Sequence, residues 1–256
     1  MTNITERDVI DLCGLVGKIL LENGAETARV ENTVEYIGQA AQFPVSCHAT
    51  MTAVFVDSKT NPNTHFVKVR VGDFNLQKVD DINTLSRQFT AHEIDYAQLK
   101  TGIAAIDRKV IDFNWLEKII GAGLVSVAPM LLFKATWTDL AWALFVGILG
   151  YLGTQLATHK ITTPYVSVAL GGFIISLCAT LLQLSGWATS ADNIIISALM
   201  PLVPGVALTN SLRELIGKHT ISGLVRAADA IMVAGSIGAG VIVGSVLAQI
   251  LMGGAS

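Results

Sequence analysis

The chain has 256 residues, 52% hydrophobic and only 14% charged, with 17 Lys and Arg against 20 Asp and Glu for a net charge of −3. A soluble domain of this size carries about a quarter charged residues, so a wholly soluble protein is excluded, and mild acidity without a basic stripe excludes nucleic acid as a partner. Charges are frequent up to Lys118 and sparse afterwards, which predicts a small cytoplasmic α+β domain over 1–113 and an α-helical membrane domain over 114–256.

The first element is an amphipathic helix, because Val9, Cys13, Val16 and Leu20 recur at helical spacing and Asn23-Gly24 stops it. Its acidic neighbours separate it from a signal peptide. A second helix is predicted over 26–41, with Val30, Val34, Ile37 and Ala41 on one face. "VSCHATMTAVFVDS" follows, rich in β-branched residues, then the turn-forming "SKTNPNT". In "HFVKVRV", Phe66, Lys68 and Arg70 alternate with Val67, Val69 and Val71. This pattern predicts a β-hairpin with a longer loop. Polar helical stretches at about 80–90 and 92–108 lead to the membrane.

This region carries no enzymatic signature. "HEIDY" at 92–96 is not a zinc-binding HExxH, because Tyr96 holds the second ligand position. GxSxG, P-loop and dinucleotide fingerprints are lacking, so no catalytic residue, metal or cofactor is expected. His48, His65 and His92 read as surface or satisfied core residues. Cys13, Cys47 and Cys178 lack CxxC spacing and read as small thiols in a reducing compartment. The fragment "NGAETARVE" at 23–31 is the one local feature that looks specified. A helix stop followed by an acidic helix start explains Gly24 and Glu26; Thr27, Arg29 and Glu31 belong to the same motif without a local role.

Beyond Lys118, stretches able to cross hydrocarbon, which takes about 20 apolar residues, are predicted at 115–134, 140–158, 163–184, 194–210 and 221–252. The first has Glu117 and Lys118 at its start and Pro129 inside. The last exceeds one span, so its first turns belong to the interface or a cavity. Five spans place Arg108, Lys109, Lys118, Lys160, Arg213, Lys218 and Arg226 on one side and only Lys134 on the other. By the positive-inside rule the N-terminal domain is cytoplasmic and the C-terminus outside, in the plasma membrane. Gly121 and Gly123, the Gly147–Gly150–Gly153 series, Gly171-Gly172 and the Ser236–Gly240–Gly244 stripe are packing signals.

The stretch "LMPLVPGVALTNSLRELIGKH" at 199–219 sets helix breakers inside an apolar segment. Pro201 and Pro204 each remove a donor and disturb an earlier carbonyl, so groups at Ala198 to Met200 are expected to face a cavity. Broken helices in polar surroundings are a recurring way to build a transport site. Asn210, Ser211, Arg213 and Glu214 follow, and Arg226 and Asp229 open the last span three residues apart, able to share a face and pair. Ionisable groups at such depth are costly and by default functional.

"LLENGAETARVE" (20–31) and "LVPGVALTNSLRELIGKHTISGLVRAADA" (202–230) together resemble the N-terminal half of the threonine/serine exporter family, and the order of elements agrees over nearly the whole chain. The resemblance implies a secondary efflux transporter in split form, completed by a small separate membrane subunit equivalent to the family's C-terminal half, with self-association into a homo-oligomer open. Its small-molecule substrate is then threonine or serine, or a dicarboxylate such as succinate. On that reading Arg213 or Arg226 binds a carboxylate, Pro204, Gly205, Asn210 and Ser211 shape the site, and Glu214 or Asp229 binds an ammonium group or carries a coupling proton. The rival of another class is a membrane-anchored sensor or scaffold, which needs no ionisable groups beyond a helix break.

Overall fold

The computed structural model describes residues 4–60, 64–70, 72, 74–109, 113–132, 135–161 and 163–253. Its contacts form two units: Met1–Ile111 with Thr209–Ala227, and Asp112–Leu208 with Ala228–Ser256. Hydropathy alone does not indicate that Thr209–Ala227 belongs with the N-terminal region.

The first unit begins with α1 (Glu6–Glu22). Thr5 caps it by a reciprocal pair: its hydroxyl accepts from the Asp8 N–H and its own N–H donates to the Asp8 carboxylate, each at 3.2 Å. The helix stops where the sequence requires, since Gly24 takes φ +89°, a conformation that favours glycine. A Cβ there would also lie 2.1 Å from the Phe74 ring. Next comes α2 (Thr27–Ala40). Val9, Cys13, Val16 and Leu20 meet Val30, Val34 and Ile37 in one core, each large side chain contributing roughly 1.5–3 kcal/mol by leaving water.

The β region departs from the expected single hairpin. It is a three-stranded antiparallel sheet in the order β1 (Val45–Thr50), β2 (Ala53–Ser58), β3 (Thr64–Lys68). The apolar run 45–58 folds back at Met51-Thr52, so Thr50 pairs with Ala53 and Val45 with Ser58. Extended, that run would reach about 46 Å, more than a small domain can cover. Val45, Cys47 and Ala49 face the core while Ser46 and His48 face out. The alternation read through Val71 ends as strand at Lys68; Val71 and part of the predicted turn lie outside the described residues.

Two capped helices complete this part, α3 (Leu76–Thr90) and α4 (Tyr96–Arg108). The first starts earlier than expected because Asn75 accepts from the Lys78 N–H at 3.2 Å. The second starts later because Asp95 caps the Gln98 N–H at 2.8 Å and His92 turns the chain at φ +58°. The Tyr96 hydroxyl donates to the Asp8 carbonyl at 2.8 Å, tying α4 to α1.

The second unit holds α5 (Trp115–Val127), α6 (Trp137–Thr158), α7 (Pro164–Leu184) and α8 (Ala191–Ala198). The chain continues into α9 (Gly205–Ile216) and α10 (Thr220–Gly253). Among the described residues, α6, α7 and α10 are each long and apolar enough to cross a membrane, and a fourth span results if Ala191–Leu202 and Gly205–Ile216, bent by 68°, count as one. The first expected span differs. Pro129 converts its end to a 3-10 turn at Ala128–Leu131, leaving a 13-residue helix of about 20 Å against a hydrocarbon core near 30 Å. Lys134, the lone outer cation of the five-span reading, lies outside the described residues.

Glycine governs how α7 and α10 meet. A Cβ on Gly240 would lie 2.0 Å from the Ala169 carbonyl oxygen, so any side chain there would drive the helices apart. Their outward faces are apolar, with Ile231, Ile242 and Ile250 well exposed, as lipid-facing helices require. With 34 residues α10 is about 51 Å long, and its opening residues Thr220–Ala227 group with the first unit.

Candidate functional site

The turn before α2 and the first residue of that helix offer two carbonyls and an amide to partners from elsewhere in the chain. Helix starts leave N–H groups without intrahelical partners, and the residues bringing partners come from α9 and α10, within the same unit. Asn210 donates from Nδ2 to the Gly24 carbonyl at 3.0 Å. Arg226 donates from Nη2 to the Ala25 carbonyl at 2.8 Å. Glu214 accepts at Oε1 from the Thr27 N–H at 3.0 Å and the Thr27 hydroxyl at 2.5 Å. Arg226 Nε then reaches both Glu214 oxygens at 3.1 Å.

This arrangement is sealed. The Arg226 and Glu214 side chains are 2% and 1% exposed, and Thr27, Asn210 and Ser211 are buried too. At an effective dielectric near 20 the pair attracts by roughly 5 kcal/mol, most of which offsets the loss of hydration. What makes burial tolerable is that Glu214 sits on the positive end of α2 and receives hydrogen bonds from three donors. At the rim Arg213 pairs with Glu26.

One turn further along α2, Glu31 divides its oxygens. Oε1 accepts from the Ala49 N–H at 2.9 Å and lies 3.3 Å from His48 Nδ1. Oε2 lies 2.9 Å from His219 Nε2, in a turn that places Lys218 at φ +65°. The hydrogen bond to Glu31 raises the His219 pKa, with burial opposing it.

Gly24, Glu26, Thr27 and Glu31 of the first motif and Asn210, Arg213, Glu214 and Arg226 of the second therefore occupy one site, with Ser211 buried beside them. Arg29 is exposed and takes no part in these bonds. The expected pairing of Arg226 with Asp229 is replaced: Arg226 binds Glu214, which offers Nε both its oxygens, and Asp229 accepts from the Tyr165 hydroxyl at 2.8 Å. His219, in the site, and Tyr165, bonded to Asp229 in the second unit, are residues that sequence reasoning does not reach. The histidine's only signal is its place after a Gly-Lys turn, and the tyrosine has none.

The broken segment is a separate feature of the second unit. The carbonyls of Leu199 and Met200, expected to be free, accept from the N–H groups of Leu202 and Val203 at 2.8 and 3.4 Å. The break heals partly within itself as a 3-10 turn. Pro204 is half-buried and its carbonyl accepts from Leu208 at 3.0 Å, while Gly205 is exposed with open space where a side chain would be. Met200 and Pro201 line a cavity of about 670 Å³ with Phe113, Glu117, Lys118 and Tyr151, within the size range of small-molecule sites. Ser197, one turn before Pro201, is fully buried with its hydroxyl unpaired among the described residues. Such an orphan costs roughly 1–3 kcal/mol.

Comparison with known proteins places these features in a family. The family model described as "Putative threonine/serine exporter" matches residues 11–248. A protein of Escherichia coli (strain K12) named "Probable succinate transporter subunit YjjP" is 23% identical over 227 residues, covering 86% of this chain and 87% of that one. Its namesake in Klebsiella aerogenes is 22% identical over 228 residues, covering 86% of both chains. The "Threonine/serine exporter" of Corynebacterium glutamicum is 22% identical over 255 residues, which is 95% of this chain but 52% of the exporter. No solved structure matches. Both motifs lie within the matched residues, and the chain, a multi-pass membrane protein, belongs to the threonine/serine exporter family.

Proposed function

We propose that the chain is one subunit of a secondary exporter that moves a small carboxylate metabolite out of the cell by alternating access. Threonine or serine is the first substrate class and a dicarboxylate such as succinate the second, in keeping with what the relatives are named for. The observation that carries this reading is the cavity of about 670 Å³ beside the Pro201–Gly205 break, in a chain of an exporter family. Solutes in such carriers bind where a helix is interrupted.

Separately from that cavity, in the first unit, a guanidinium, Arg213 or Arg226, meets the substrate carboxylate, because its two parallel donors match the two oxygens. Asn210 and Ser211 orient polar substituents. Asp229, exposed beside Tyr165, or Glu214 carries the coupling proton. A second membrane subunit is proposed because the relatives of matching length are named as transporter subunits; the chain covers about half of the Corynebacterium exporter. The cytoplasmic placing of the N-terminal unit is proposed from Arg108, Lys109 and Lys118, the cations ahead of the long apolar helices.

The test is counterflow. Proteoliposomes holding this chain and its partner are loaded with unlabelled threonine, serine or succinate and supplied with the labelled compound outside. Uptake for one class is expected. Absence of exchange for every amino acid and dicarboxylate tried overturns the proposal.

A further inference from the structure

We propose that the Thr27 amide and hydroxyl together with Arg226 form a carboxylate receptor that Glu214 fills as an internal ligand, and that a free carboxylate takes the same seat by exchange. The inference deepens the transport reading and rests on it for its physiological ligand, the substrate's own carboxylate.

The observations concern what Glu214 touches. Its carboxylate receives the N–H and the hydroxyl of Thr27, and both of its oxygens lie 3.1 Å from Arg226 Nε. A guanidinium and a helix N-terminus converging on one anion is how proteins recognise free carboxylates. The seat does not depend on Glu214 for its shape. Asn210 and Arg226 fix the approach to α2 by holding the Gly24 and Ala25 carbonyls, at 3.0 and 2.8 Å. With Glu214 gone those bonds remain, and the buried Arg226 charge still needs an anion. The seat is closed to solvent while Glu214 fills it.

Exchange is also the economical route. Vacating the pocket would strand a buried guanidinium, whereas a substrate carboxylate entering as Glu214 leaves restores the same donors and the same local charge. Binding of the ligand and release of Glu214 are then one event, giving the protein a way to sense that a carboxylate is aboard.

Acetate is the probe. The full chain carrying Glu214→Ala is purified in detergent, and its thermal midpoint is followed in sodium acetate against sodium chloride of equal ionic strength. At ten times the half-saturating concentration, acetate is expected to raise the midpoint by about 3–6 °C. The wild type, whose seat is filled, gains less than about 1 °C on the same scale, and the Thr27→Val, Glu214→Ala double variant responds less than Glu214→Ala. If Glu214→Ala folds only when acetate is present, that recovery is the same readout. An acetate response no larger than that of chloride overturns the receptor. A second measurement uses the wild type in proteoliposomes with its partner: substrate should raise carbodiimide labelling of Glu214 several-fold. Normal counterflow with unchanged labelling refutes the exchange and leaves the transporter standing, whereas acetate rescue without counterflow keeps the receptor and removes the transporter.

Discussion

Replacing Arg226 by Leu removes the guanidinium and leaves the Glu214 carboxylate, 1% exposed, with its two bonds to Thr27 among the described residues. It also deprives the Ala25 carbonyl of its donor. Stranding one charge of a buried pair costs about 3–5 kcal/mol. The reciprocal Glu214→Leu strands Arg226 and leaves the Thr27 N–H without an acceptor, with a cost in the same range. In the double variant both charges are gone, and the groups left without these partners, the Ala25 carbonyl and the Thr27 N–H and hydroxyl, are neutral, at about 1–3 kcal/mol each. The singles are therefore expected to lower the thermal midpoint in detergent by about 10 °C, at about 2–4 °C per kcal/mol for a chain of this size. The double variant should fall well short of the sum of the two single losses, a coupling of about 3 kcal/mol. If its loss equals the sum of the two single losses to within about 0.5 kcal/mol, the pair contributes nothing jointly and the account of a mutually satisfied ion pair is wrong.

Three further outcomes are expected. Gly240→Val drives a side chain into the Ala169 carbonyl, since the new Cβ would fall 2.0 Å from its oxygen, and should cost about 1–3 kcal/mol as overpacking, read as a lower midpoint with the α7–α10 packing loosened. His219, with its pKa raised by Glu31, contributes stability that is fully present below the unfolded value near 6.5 and lost as pH rises through the folded value. NMR titration of its ring should give a midpoint above that of a free histidine, and Glu31→Gln should bring it down. Burial pushes the Cys13 thiol up to about 12, so iodoacetamide at about pH 8, near the range of a free thiol, should leave it unlabelled in the native protein and modify it in denaturant; rapid native labelling contradicts the packed core.

What the sequence discloses follows the range of the forces involved. The stop at Asn23-Gly24 and the core face of Val9, Cys13, Val16 and Leu20 are local effects, readable from spacing and glycine chemistry. The turn at Met51-Thr52 is not readable in that way, because neither residue is a turn former; the fold-back is imposed by pairing of Thr50 with Ala53 and the bonds beyond it. At the site the residue types are legible and their partners are not. Thr27 and Glu214 lie 187 positions apart, and within one segment Asp229 is the nearer counter-ion for Arg226. Pro129 is plain in the sequence, but how far it shortens a helix depends on the neighbouring turns, which follow a 3-10 path here.

The outer edge of β1 is closed by two side chains of α2. Its Cys47 and Ala49 amides, directed away from β2, are occupied by the carboxylates of Glu35 and Glu31 at 3.1 and 2.9 Å. A foreign strand approaching that border would find its docking positions taken by negative charge. Because one of the two guards, Glu31, also holds His219, a lesion there would expose the sheet to self-association and unfasten the α9–α10 turn at once.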